Sequence, residues 1–135
     1  MVGYSGTPLL KKLGIKEGFI IRVFNEPNTY WDDLGALPEG VQTASENKAK
    51  EVDFIHYFCL SADSLKTEIL HLKSLLKKSG MLWISWPKKS SKVATDLSDM
   101  IVRNTGIEAG LVDIKVCAVD EVWSGLKFVY RRMDR

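Results

Sequence analysis

Four separated segments of this chain carry more charge, hydroxyl and aromatic character than packing alone requires. They are residues 3–9 (GYSGTPL), 86–89 (WPKK), 93–97 (VATDL) and 110–126 (GLVDIKVCAVDEVWSGL). Lys88 and Lys89 supply positive charge, and Ser5 and Ser124 add hydroxyl donors. A helix opening near Thr95 would add free amides and a dipole that favours an anion. Tyr4, Trp86 and Trp123 would form an aromatic wall for a flat ligand. Asp96, Asp120 and Glu121 repel an anion unless the lysines pair with them. The plain structural roles are a cap at Thr95-Asp96, a hairpin shaped by Asp120-Glu121, and a solvated Lys88-Lys89. No nucleophile or pKa-shifting burial is readable beside Asp120 and Glu121, so no catalytic residue is assigned.

Other reactive types are sparse. His56 falls inside an apolar run and His71 inside a helical one, with neither HExxH spacing nor a CxxC pair, so no metal site is expected. His56 reads as a core histidine with one hydrogen-bond partner, and His71 as a solvated or boundary residue. Cys59 lies near the end of a central strand, where a nucleophile could sit, but without an identifiable base it reads as packing. Cys59 and Cys117, both in apolar runs, make no disulfide framework. No Walker loop is present.

Alternating periodicities define the elements that position these residues. Thr7-Pro8 opens a short helix from Pro8 to Leu13, ended by Gly14. Phe19–Phe24 (FIIRVF) is the first strand, followed by the loop Asn25-Glu26-Pro27-Asn28 and a helical turn at Tyr30–Leu34. Val41–Ala44 is a short second strand. Val52–Leu60 (VDFIHYFCL) is apolar almost throughout, as befits a strand buried on both faces of a parallel sheet. Ser61-Ala62-Asp63 starts a helix with Leu65, Ile69, Leu72 and Leu76 on one face, stopped by Gly80. Met81–Trp86 is the next strand. Thr95 or Asp96 caps a helix to about Asn104, with Leu97, Ile101 and Met100 facing inward and Gly106 closing it. Leu111–Val119 and Leu126–Arg131 are final strands whose short link implies an antiparallel hairpin.

Strands alternating with helices imply a parallel sheet with right-handed crossovers. The order resembles the Rossmann-like S-adenosylmethionine-dependent methyltransferases, in which the last strand inserts antiparallel. The likeness is best from Val52 onward, through "LLKKSGMLWISWPK" to the hairpin, with one strand–helix unit missing between Val41 and Val52. The expected fold is therefore one α/β domain over residues 1–135. It is a three-layer, methyltransferase-like, mainly parallel sheet with a C-terminal antiparallel hairpin. The resemblance implies a glycine loop after the first strand and an acid at the end of the second to hold a ribose. Asn25–Asn28 has no glycine, and Pro27 lacks an amide donor. Glu46 is roughly where the acid belongs. The standard cofactor geometry is thus argued against, and no cofactor is expected.

The four segments also resemble a family of short bacterial proteins with no assigned activity. Its members start with "GYSGTPLxKKLGI" and carry "WPKK", "VATDL" and "KVCAVDExWSGL". That likeness brings no catalytic residues with it. A chain of 135 residues with net charge +2 is one domain without a general bias toward nucleic acid or membrane. Lys66, Lys73, Lys77, Lys78, Lys88, Lys89 and Lys92 outnumber Asp63 and Glu68 locally. Without arginine or exposed stacking residues, this stretch reads as a solvated helix face, not as a nucleic-acid surface. The N-terminus lacks a signal peptide's apolar core, and no run is long enough to span a bilayer, so a cytoplasmic location is expected.

In a parallel sheet, ligands bind beyond the carboxyl ends of the strands. The topology brings Tyr4, Ser5, Thr7, Trp86, Lys88, Lys89, Thr95, Asp96, Asp120, Glu121, Trp123 and Ser124 toward one such rim. The expectation is a non-catalytic binding domain, holding a small anionic ligand or a protein partner there. The alternative is a divergent enzyme, a methyltransferase among the options, acting at the same rim.

Overall fold

The computed structural model describes residues 8–44 and 51–135, so Tyr4, Ser5, Thr7 and Glu46 lie outside the described residues. Strands β1 (Ile20–Phe24), β2 (Gln42–Thr43), β3 (Val52–Phe58) and β4 (Leu76–Pro87) run parallel. Strand β6 (Trp123–Tyr130) lies antiparallel between β4 and β5 (Leu111–Ala118). The sheet order is β2-β1-β3-β4-β6-β5. The helices are α1 (Leu9–Leu13), α2 (Tyr30–Leu34), α3 (Ala62–Leu75) and α4 (Asp99–Glu108). Only residues 44–51 separate β2 from β3, too few for the absent strand–helix unit.

The period-two alternation of β3 builds two cores. Ile55 and Tyr57 join Leu82 and Ile84 of β4 and the α3 stripe Leu65, Ile69 and Leu72. Phe54 and Phe58 join Trp83, Leu13 of α1, and Tyr30 and Leu34 of α2. Buried Trp83 Nε1 donates to the Leu13 carbonyl at 2.9 Å, which fixes α1 on the sheet. Gly14 ends α1 in the left-handed conformation at φ 83°, where a Cβ would be strained.

Several element boundaries differ from the sequence reading. Helix α3 ends at Leu75, and Gly80 sits within β4. Leu76 starts β4 opposite Val52, while Lys77 pairs with Asp53 of β3 at 3.1 Å. Burial in the sheet and that ion pair take over from helical propensity. A Cβ on Gly80 would stand 3.0 Å from the Asp53 carbonyl oxygen and 2.8 Å from Leu76 Cδ1, so this glycine permits close strand approach. Gly106 is not the end of α4 but a buried residue within it, set against the Phe128 ring. Met100 is 70% exposed and does not face inward, whereas Leu97 is buried. Strand β6 begins at Trp123, so Trp123, Ser124 and Gly125 belong to the ladder and not to the link. Asp120 causes this: its Oδ1 accepts from the amides of Val122 (2.8 Å) and Trp123 (2.7 Å), closing the turn early. Among the described residues, no helix is long and apolar enough to cross a membrane.

Candidate functional site

At the carboxyl ends of the strands, side chains tie successive loops together. Asn25 leaves β1 with φ 62°, a conformation open to asparagine at a small steric cost. Its Nδ2 donates to the Phe58 carbonyl at 3.1 Å, bridging the exits of β1 and β3. Ser61 caps α3 by accepting from the Ser64 amide at 3.1 Å. Lys88, leaving β4, donates its amide to the Val122 carbonyl at 2.7 Å, joining that exit to the β5–β6 turn.

Thr95 and Asp96 do not cap α4. Ser98 does, accepting from the Ile101 amide at 3.3 Å. Thr95 Oγ1 instead donates to the Leu60 carbonyl and accepts from the Leu97 amide. Asp96 Oδ1 accepts from the Ala62 amide at 2.9 Å, which completes the cap of α3 from across the rim. The pair therefore clamps the loop after β4 onto the start of α3. A carboxylate across the gap competes for the α3 amide, a pairing that sequence distance conceals.

Among the described residues, three cavities follow one another along this edge. The central one, about 440 Å³, is lined by Asn25, Tyr57, Phe58, Cys59, Ser61 and Trp123. It sits where the strand order reverses, since β1 is flanked by β2 on one side and β3 on the other. Trp123 meets Phe58 edge to face at 5.1 Å. The second, about 560 Å³, is lined by Trp86, Lys88, Lys89, Lys92, Thr95 and Ser124, and Val93 belongs to both walls. The third, about 360 Å³, adjoins the first at Asn25 and is lined by Arg22, Glu26, Trp31 and Thr43.

The structure thus gathers Trp86, Lys88, Lys89, Thr95 and Ser124 in one cavity and puts Trp123 in its neighbour. Asp96, Asp120 and Glu121 are not among the residues lining these cavities, and the first two serve the cap and the turn. The lysine stretch divides between the two ends of the sheet. Lys73 donates to the Ala109 carbonyl, Lys77 pairs with Asp53, and Lys78 lies over the Tyr130 ring, while Lys88, Lys89 and Lys92 stay at the rim. Sequence reasoning missed Arg22, Asn25, Ser61 and Ser64. The signals for them were an arginine inside an apolar strand and the rule that ligands bind where strand order reverses.

Cys59 is 5% exposed, and its thiol is pushed up to about 12, by burial first and then by Asp96. It is a protonated packing group on the cavity wall, not an activated nucleophile. His56 is fully buried with two partners instead of one. Nδ1 is 2.9 Å from Tyr30 Oη, and Nε2 is 2.7 Å from Ser85 Oγ. A neutral ring accepts on one nitrogen and donates from the other, so both bonds are satisfied in either tautomer. Burial lowers its pKa to about 3 and raises that of Tyr30. The chain Tyr30–His56–Ser85 has the residue types of a relay, but all three are buried against the sheet, where they fix packing. Among the described residues, no cluster of His, Cys, Asp and Glu is arranged to hold a metal ion.

No protein-family model and no curated protein matches this chain. Solved structures do. An S-adenosylmethionine-dependent methyltransferase from Aquifex aeolicus is similar over 89% of this chain and 86% of its own, with TM-score 0.56 and 17% identity. Magnesium protoporphyrin IX methyltransferase from Synechocystis PCC 6803, with bound S-adenosylhomocysteine, is similar over 91% and 78%, with TM-score 0.60 and 12% identity. Aeropyrum pernix fibrillarin, with natively bound S-adenosyl-L-methionine, is similar over 90% and 72%, with TM-score 0.58 and 16% identity. At these identities the likeness is one of fold: a Rossmann-like methyltransferase sheet.

Proposed function

We propose that this chain is a binding domain on a methyltransferase-like three-layer scaffold, and that it holds a small anionic ligand with a flat moiety at the carboxyl rim. One observation carries this reading. The cavity where the strand order reverses has an aromatic wall of Phe58 and Trp123, with Tyr57 added from the other face of the sheet, and it adjoins a second cavity bearing Lys88, Lys89 and Lys92. The aromatic wall suits a planar group, and the lysines suit the charge on its tail.

S-adenosylmethionine in its standard seat fits the residues poorly. Asn25 stands where a glycine-lined turn would let a cofactor approach the backbone, and its side chain fills the gap between β1 and β3 with its bond to Phe58. Pro27 offers no amide. Helix α2, of five residues, is too short for a strong dipole. The second reading, a divergent methyltransferase, rests on the fold shared with cofactor-bound neighbours.

A thermal-shift screen separates them, because a ligand that binds only the native state raises its melting temperature. The panel is S-adenosylmethionine, S-adenosylhomocysteine, adenosine, adenosine monophosphate and phosphorylated sugars. The first reading expects a shift with a nucleoside monophosphate that exceeds the one with adenosine. Trp123→Ala abolishes that shift, and Lys88→Ala weakens it about tenfold, the worth of one charge-assisted contact. A shift confined to S-adenosylmethionine and its product replaces the first reading with the second. A flat screen, or a shift that survives both substitutions, refutes the rim as a small-molecule site and points to a protein partner.

A further inference from the structure

Arg22 lies in the middle of β1, between Ile21 and Val23, and is only 7% exposed. Its guanidinium carbon is 4.7 Å from the centroid of the Phe24 ring. Its Nη1 is sealed from water, and no described residue accepts a hydrogen bond from it. None of the ion pairs among the described residues includes it. A guanidinium cannot shed its proton to escape burial. A buried charge without a counter-ion is strongly unfavourable, and one aromatic ring offsets only part of that cost.

This side chain lines the third rim cavity, with Asn25, Glu26, Trp31 and Thr43 around it. Glu26 shares this lining but forms no ion pair with it. Glu26 Oε2 instead accepts from Trp31 Nε1 at 3.0 Å. The cavity therefore brings together a guanidinium that has no ion pair among the described residues, with Nη1 buried and unbonded, and about 360 Å³ of space at the carboxyl ends of β1 and β2.

We propose that this cavity is an anion-binding site, in which Arg22 is the counter-ion for a carboxylate or phosphoryl group of a small ligand. The planar fork of arginine matches both groups through paired N–H donors. Asn25 lines this cavity and the aromatic pocket alike, so one ligand with an acidic arm can occupy both. The site stands whether or not the aromatic pocket is filled.

The test uses the full chain, with inorganic phosphate and succinate titrated against chloride at constant ionic strength, followed by thermal unfolding and calorimetry. Wild type shows a saturable rise in melting temperature with at least one of the two anions, and the tighter binder identifies the arm. Arg22→Met removes the response and raises the melting temperature in chloride, because the buried charge is gone. Arg22→Lys keeps the charge but binds about tenfold more weakly, since the fork is lost. Trp123→Ala leaves the phosphate or succinate response intact, so failure of the aromatic pocket is distinguishable from failure of this site. An equal response in wild type and Arg22→Met shows a general salt effect and overturns the proposal. A wild type that responds to neither anion overturns it as well. If the Glu46→Gln variant responds more strongly than wild type to either anion, an acid of the chain itself was the counter-ion and the assignment to a ligand fails.

Discussion

Acid should destabilise this fold through His56. The ring is fully buried, and burial holds its pKa at about 3. In the unfolded chain a histidine titrates near ~6.5. The folded value is the lower one, so between these limits the unfolded chain binds the proton and the native state does not. Stability is therefore complete above about pH 6.5 and is lost as pH falls toward about 3. At about 1.36 kcal/mol per pH unit, moving from pH 7 to pH 5 removes roughly 2 kcal/mol. That is a large share of the ~5–15 kcal/mol that holds a domain together. The assay is urea unfolding at both pH values for wild type and His56→Gln. Glutamine keeps both donor and acceptor for Tyr30 and Ser85 but does not titrate. Exposed His71 and the surface carboxylates are common to both chains and cancel. Wild type should lose about 2 kcal/mol more than the variant between pH 7 and pH 5. Equal losses would refute the reasoning. In wild type, the His56 ring proton followed by NMR should not shift between pH 8 and pH 5; a midpoint near 6.5 would refute it independently of how the variant folds.

Two further substitutions probe the packing and the clamp. Gly106→Ala drives a methyl into the buried Phe128 ring, and overpacking of this kind costs about 1–3 kcal/mol, read as a lower urea midpoint at unchanged slope. Asp96→Ala removes the cross-rim cap of α3, at a cost of about 1 kcal/mol. The same change removes a negative charge that raises the Cys59 thiol, so the pH midpoint of Cys59 alkylation should move down. An unchanged midpoint would show that Asp96 does not act on the thiol.

Much of the fold is legible because its signals are local or strictly periodic. The apolar run from Val52 marks a strand buried on both faces, and the structure packs Phe54 and Phe58 on one side and Ile55 and Tyr57 on the other. The turn at Tyr30–Leu34 is recovered with the same ends. Errors arose where a residue's reason lies across the chain. Gly80 reads as a helix stop, yet it is glycine because the Asp53 backbone passes close by. Thr95-Asp96 reads as a cap, and it is one, but Asp96 caps the helix that begins at Ala62. Single-sequence signals report chemistry faithfully and partners poorly, since the partner is chosen by topology.

Two charges that interrupt apolar strands show where that limit bears on function. Asp53 in β3 and Arg22 in β1 look alike in the sequence, each a lone charge among residues headed for the core. Folding treats them differently. Asp53 accepts from the Ile20 amide through Oδ2 at 2.8 Å and pairs with Lys77 through Oδ1, so the chain itself supplies its counter-charge. Its burial is explained by the fold, because it pins the start of β1 to β3 and β4. Arg22 receives no such answer from any described residue. It faces space at the rim, beside the point where the strand order reverses. Asp53 spends its charge on architecture. Arg22 keeps its charge available, and the same edge of the sheet holds the aromatic pocket and the lysines. On the proposed reading, the physical difference between a structural and a functional charge in this chain is whether another described residue completes its coordination.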